Sequence, residues 1–205
     1  MIRVLLVHDT CLMRSVLAER LDREPDLEVV HTAWPGAAAR ARTARPDVCV
    51  ADLDCSDSYG MAPLADLCEQ AARAGTARPP RLVVLASTQR PGLLRRAAEA
   101  QAAGYVDKAS TAAQLIRAIR EVVAGKRFVD ESLGFGFLRA AEMPLTQREL
   151  SVLALAARGA SIAEIAGSLH LSRGTVRNYM AAITRKTGAR NRVDAIRISQ
   201  GEGWV

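Results

Sequence analysis

The chain has 205 residues, is 49% hydrophobic and 4% aromatic, and carries a net charge of +6 with four cysteines. That length admits one large domain or two small ones with proper cores. No apolar run reaches the roughly 18 residues of a membrane span, and Ile2–Val7 is too short for a signal peptide, so a cytoplasmic protein with reduced thiols is expected, with no membrane partner.

Through its first two thirds the chain alternates short apolar runs with helical patterns. Ile2–Val7 predicts a strand, and Cys11–Leu21 a helix with Leu12, Val16, Leu17 and Leu21 at helical spacing. Leu27–His31 is a second strand and Pro35–Ala44 an alanine-rich helix. Val48–Ala51 is a third strand, ending in Asp52-Leu53-Asp54, and 61–74 is helical until Arg78-Pro79-Pro80. Leu82–Leu85 is a fourth strand, and Leu93–Ala103 a helix closed by Gly104. Tyr105–Val106 starts a fifth strand, and Ser110 caps a helix to about Ala124. Five strands alternating with helices imply a parallel, doubly wound sheet, with its crevice beyond the carboxyl ends of the strands.

Those strand ends carry His8-Asp9, Asp52, Ala86-Ser87 and Lys108. Two carboxylates, a hydroxyl and a lysine on one rim are the groups that hold a divalent cation and stabilise an acyl phosphate. His8, Asp9, Cys55 and Cys11 offer a second possibility, a zinc site, although the four cysteines (Cys11, Cys49, Cys55, Cys68) lack paired metal-ligand spacing. The blander alternative makes Cys11 and Cys49 small packing residues.

Residues 125–143 read as a tether and docking surface, in which Asp130 can cap a short helix through Ala140. Residues 144–205 read as an all-helical unit. Residues 141–205 hold nine Arg/Lys against five Asp/Glu, a basic excess suited to a polyanion. Thr146 with Glu149, and Ser161 with Glu164, make two capping boxes. His170-Leu171 is a turn, and Ser172 caps a helix from Arg173 to about Lys186, stopped before Gly188. Asn191 caps a last helix, where Val193, Ile196 and Ile198 offer an edge for core packing or dimerisation. An apolar helix, a short turn and a basic helix form a helix-turn-helix, whose second helix enters a major groove. Val176, Met180 and Ile183 are spaced for the core, while Arg173, Arg177, Asn178 and Ala181 point away from them.

The strand-end residues, in their order, resemble the receiver domain of two-component response regulators. The pattern Leu145-Thr146…Arg148-Glu149, Ile165-Ala166…Leu169…Leu171-Ser172…Thr175-Val176-Arg177 and Lys186-Thr187-Gly188…Arg192…Ala195 resembles the LuxR-type helix-turn-helix. Together they resemble the NarL/FixJ class of transcription regulators. The resemblance implies a flavodoxin-like five-stranded receiver over 1–124, a linker over 125–143 and a four-helix DNA-binding domain over 144–205. It makes Asp52 the phosphoacceptor, Lys108, Ser87 and Tyr105 the phosphate-contacting and switch positions, and Asp9, Asp52 and Asp54 the ligands of Mg2+. Arg177, Asn178 and Ala181 would face base edges, and Arg173, Thr175, Arg185, Lys186 and Arg190 phosphates. Implied partners are double-stranded DNA, a second copy of the chain and a histidine kinase, with no enzymatic output.

Three positions depart from the receiver pattern. His8 stands where an acid is expected, and imidazole is a poor ligand for a hard cation. Ala86 stands where a hydroxyl is expected, with Ser87 next to it, and Asp54-Cys55-Ser56-Asp57 replaces the usual Met-Pro loop. The expected protein is therefore a dimeric DNA-binding regulator whose receiver can work without phosphate, or alternatively a ligand- or metal-responsive sensor on that scaffold. A phosphohydrolase using Asp52 is disfavoured, since no general base beyond His8 and no substrate loop accompany it.

Overall fold

The computed structural model describes residues 1–55 and 79–205. Six strands, β1 (Ile2–Val7), β2 (Leu27–Thr32), β3 (Val48–Asp52), β4 (Arg81–Ala86), β5 (Gly104–Asp107) and β6 (Phe128–Val129), form one parallel sheet in the order β2-β1-β3-β4-β5-β6. The sequence predicts five. The sixth is a two-residue strand, too short to carry a period, that pairs with Gly104 and Tyr105.

Because side chains alternate along a strand, both faces of this sheet are apolar. Leu5, Val7, Cys49, Ala51, Val84 and Ala86 lie on one face, and Val4, Leu6, Val48, Val50, Val83 and Leu85 on the other. The second face is covered by α1 (Cys11–Asp22), through Ala18 and Leu21, and by α4 (Ala112–Val123), through Leu115, Ile116, Ala118, Ile119 and Val122. The first is covered by α2 (Ala37–Ala44) and α3 (Pro91–Glu99), through Ala41, Leu93, Leu94 and Ala97. Each buried leucine or isoleucine there contributes about 1.5–3 kcal/mol of transfer free energy. The helix expected over 61–74 lies outside the described residues.

Several boundaries differ from the sequence reading. The helix expected to run through Ala103 ends at Glu99, and Gln101 takes a left-handed φ of 57°. Gly104 does not close that helix; it opens β5, where a Cβ would stand 2.9 Å from Val83 Cγ2 and 3.1 Å from Val122 Cγ2. A glycine after a helix serves equally as a cap or as a point of close approach, and only packing distinguishes the two. Thr111, rather than Ser110, caps α4 by accepting from the Gln114 amide. Ser110 instead donates to Asp130. Of the cysteines read as packing residues, Cys49 is buried and Cys11 is exposed.

The stretch expected as a tether, 125–143, holds β6, a 3-10 turn capped by Asp130, and α5 (Gly134–Ala141). Leu133 and Ala140 enter the receiver core beside Leu94 and Ala97. Leu93, Leu94 and Ala97 are therefore buried within the chain.

The C-terminal domain has four helices: α6 (Gln147–Ala157), α7 (Ile162–Leu169), α8 (Arg173–Lys186) and α9 (Arg192–Gly201). Both capping boxes form, with Thr146 accepting from Glu149 N and Ser161 from Glu164 N while each glutamate accepts in return. Val152, Leu153, Ile165, Val176, Met180 and Ile183 close its core.

Candidate functional site: a carboxylate crevice and a DNA-facing helix

Asp52 ends β3 at 2% exposure, between the ends of β1 and β4. Its two oxygens face different partners. Oδ1 takes the Lys108 ammonium and, at 3.0 Å, the Asp54 amide. Oδ2 lies 3.0 Å from His8 Nε2 and accepts from Cys55 Sγ at 3.2 Å. His8 follows β1 directly, which brings its ring over the end of β3.

The Thr10 amide donates to His8 Nδ1 at 3.1 Å, so the ring proton of the neutral imidazole sits on Nε2 and is given to Asp52. Burial lowers the His8 pKa below its usual value, against the pull of the Asp52 charge. Burial, with the neighbouring Asp52 charge, pushes the Cys55 thiol up to about 11. Burial opposes the Lys108 charge, but hydrogen bonds to Asp52 and Asp54 outweigh it and raise its pKa.

The other expected crevice residues have different employment. Asp9 Oδ1 accepts from the Trp34 amide at 2.8 Å, and Trp34 Nε1 donates to the Asp52 carbonyl at 3.2 Å. Ser87 Oγ accepts from the Gln89 amide at 3.2 Å, closing the turn after β4. Tyr105 is buried, edge-on to Phe137 with centroids 5.1 Å apart. Among the described residues, the donors brought within 4.8 Å of one another are His8, Asp52 and Cys55. Asp9, Asp52 and Asp54 are not gathered in that way. With a nitrogen in place of an acid, and with Lys108 bridging Asp52 and Asp54, the arrangement does not fit a magnesium ion, which demands near-octahedral oxygen ligands.

Two residues carry more here than their sequence context signalled. Arg14 donates to the carbonyls of His8 (2.6 Å) and Asp9 (3.1 Å), fixing the β1–α1 turn. Arg90 lies 3.4 Å from Asp54 Oδ1 and donates to the Gln200 carbonyl at 2.8 Å, joining the crevice rim to α9. A single arginine in a loop carries no signal of a partner 110 residues away.

On α8, Val176, Met180 and Ile183 are buried, while Arg173, Arg177, Asn178, Ala181 and Arg185 are exposed. Thr175 is half-buried, and its Oγ1 lies 2.8 Å from Ser172 Oγ. Lys186, expected on a phosphate, donates to Glu149 at 2.8 Å and ties α8 to the start of α6. Arg190 lies 3.4 Å from Asp194. The side chains of Arg173, Arg177, Asn178 and Arg185 make no hydrogen bond or ion pair among the described residues, so one edge of α8 is free for a ligand of opposite charge.

Residues 4–120 match the family model described as the response regulator receiver domain, and residues 143–199 that described as bacterial regulatory proteins, luxR family. The chain is 51% identical to the response regulator RamR of Streptomyces coelicolor, over 100% of this chain and 98% of that protein. It is 34% identical to the transcriptional regulatory protein DesR of Bacillus subtilis, over 100% and 99%. Among solved structures, the response regulator ChrA of a heme-sensing two-component system is 26% identical with a TM-score of 0.55, covering 100% of this chain and 98% of that one. The two-component response regulator RcsB in complex with DNA is 20% identical with a TM-score of 0.62, covering 98% of each, and at that identity shows the fold alone.

Proposed function

The chain belongs to the response regulators that join a receiver domain to a luxR-family DNA-binding domain, and from that premise we propose that it controls transcription in the cytoplasm as a dimer whose DNA binding does not depend on phosphorylation of Asp52. That it is a DNA-binding transcription regulator follows from the family. The observation that carries the finer reading is the closure of Asp52: both oxygens already hold two donors, from Lys108, the Asp54 amide, His8 and Cys55. An incoming phosphoryl group must displace them at an almost fully buried carboxylate, in a crevice where the His8 imidazole stands in place of one acidic ligand of the usual cation.

DNA reading rests on α8. Arg177 and Asn178 present the donors that recognise guanine and adenine edges, with Ala181 beside them, and Arg173 and Arg185 flank them for phosphates. Val193 is 75% exposed on α9, next to half-buried Ile196 and Ile198, and offers the seam for a second copy. A dimer so formed reads paired half-sites about one helical turn apart. The test is genome-wide footprinting of wild type beside Asp52→Ala, with intact mass after acetyl-phosphate treatment. Equal occupancy and no labile adduct support the reading; an adduct at Asp52 that sharpens occupancy overturns it.

A further inference from the structure

The crevice gathers three chemically different donors that phosphotransfer does not use together. We propose that His8, Asp52 and Cys55 form a binding site for a divalent transition-metal ion, with zinc the first candidate. This goes beyond the DNA-binding reading and does not depend on it.

The spacing supports the assignment. Bonds of about 2.0–2.3 Å in a tetrahedron put neighbouring ligand atoms about 3.3–3.7 Å apart. Asp52 Oδ2 stands 3.0 Å from His8 Nε2 and 3.2 Å from Cys55 Sγ, and one ligand atom from each of the three residues lies within 4.8 Å of the others. Closing the remaining gap between the imidazole nitrogen and the thiolate takes side-chain adjustment of about 1 Å.

The donor set selects the ion. Imidazole, thiolate and carboxylate suit zinc and its neighbours, whereas magnesium and calcium take oxygens. The three residues come from the ends of β1 and β3 and the turn after β3, all anchored to the sheet, so the site is prearranged. A cavity of about 120 Å³, lined in part by His8, Asp52, Lys108, Met13, Leu17 and Leu115, opens beside them. Water takes about 30 Å³ in the liquid, so a fourth ligand has room there.

Loading has a defined balance. Cys55 gives its Sγ proton to solvent and binds as thiolate, Asp52 binds through Oδ2, and His8 stays neutral. Lys108 keeps Oδ1, and its charge is matched by Asp52 and Asp54. Metal at Nε2 moves the imidazole proton to Nδ1, and metal at Nδ1 occupies that lone pair. In either case Nδ1 stops accepting from the Thr10 amide. The ion therefore frees the first amide before α1 while it covers the oxygen a phosphoryl group would need.

Full-length protein, stripped with a chelator, is titrated with Co2+ as a spectroscopic probe and then with Zn2+. The expected result is a single equivalent with a thiolate-to-cobalt charge-transfer band and the intense visible bands of a four-coordinate ion, both removed by Zn2+. Cys55→Ala should abolish the charge-transfer band, His8→Ala should weaken binding at least about tenfold, and Cys11→Ser should change neither, with circular dichroism reporting that each variant is folded. No band in the wild type, a band that survives Cys55→Ala, or one that disappears with Cys11→Ser overturns the site. DNA affinity measured on the same samples reports on the regulator reading separately, so either can fail alone.

Discussion

The Gly92 amide donates to the Glu202 carbonyl at 2.9 Å, and this bond crosses from the receiver to the DNA-binding domain. Arg90 reaches the Gln200 carbonyl beside it, and Arg139 holds both Glu202 oxygens at 2.9 and 2.7 Å. The domains thus meet through the end of α9, leaving the exposed edge of α8 uncovered.

A Cβ on Gly92 would stand 2.7 Å from Trp204 N and closer still to the Gly203 backbone, so one side must move. Gly92→Ala should separate the domains while leaving α3 intact, since alanine favours a helix over glycine by roughly 0.5–1 kcal/mol. Small-angle scattering should show a larger radius of gyration, and amide exchange at Gly203 and Trp204 should quicken. An unchanged scattering profile would show that this contact does not hold the domains in solution.

Arg177 and Lys186 lie on the same helix but should fail differently. Arg177→Ala should cost about 1–3 kcal/mol of discrimination between operator and mismatched DNA. Lys186→Ala removes the partner of Glu149, so it should lower unfolding stability and leave site discrimination nearly untouched. Binding isotherms on matched and mismatched duplexes, alongside urea unfolding, separate the two. A uniform affinity loss with a shallower salt slope in Arg177→Ala would place that side chain on phosphate instead.

Replacing the imidazole with an acid should reopen the crevice to ordinary receiver chemistry. His8→Asp restores an oxygen donor beside Asp52 and removes one of the two groups on Oδ2. The expected outcome is a higher yield of labile adduct from acetyl phosphate with Mg2+ than in wild type, read by intact mass. Equal yields would mean that His8 is not what closes Asp52.

Acid should loosen the C-terminal domain from the start of α9. Asp194 accepts from the Arg190 amide and pairs with Arg197, which lowers its pKa from 3.8 to about 2. A carboxyl whose folded pKa lies below its unfolded value stabilises the fold above the unfolded value and loses that contribution as pH falls toward the folded one. Protection of the α9 amides, referred to the intrinsic exchange rate at each pH, should therefore fall between about pH 4 and pH 2. Asp194→Asn should flatten that dependence; an equally steep fall in the variant would point to another carboxyl, Glu149 first.

Much of this molecule was readable before folding. Short continuous apolar runs named five of the strands, and the serine, threonine and asparagine caps placed the C-terminal helix starts, because both signals are written within a few neighbouring residues. The same locality explains the errors. Gly104 looks like a helix stop until Val83 and Val122 are seen against it, and β6 is a strand only because β5 offers it an edge. Nor does the sequence show that Lys186, expected on a phosphate, also reaches Glu149, 37 positions away.

The sequence by itself determined the two-domain plan, the basic helix of the helix-turn-helix and the list of polar residues at the strand ends, since each depends on periodicity or on spacing along the chain. Only the tertiary structure decided how those residues are used: Asp9 turned to Trp34, His8 and Cys55 joined on one oxygen of Asp52, and Arg90 stretched between Asp54 and Gln200. The reason is geometric. Strand order and helix packing set which ends meet and at what distance, and hydrogen bonds and metal coordination are decided over tenths of an ångström that no one-dimensional pattern records.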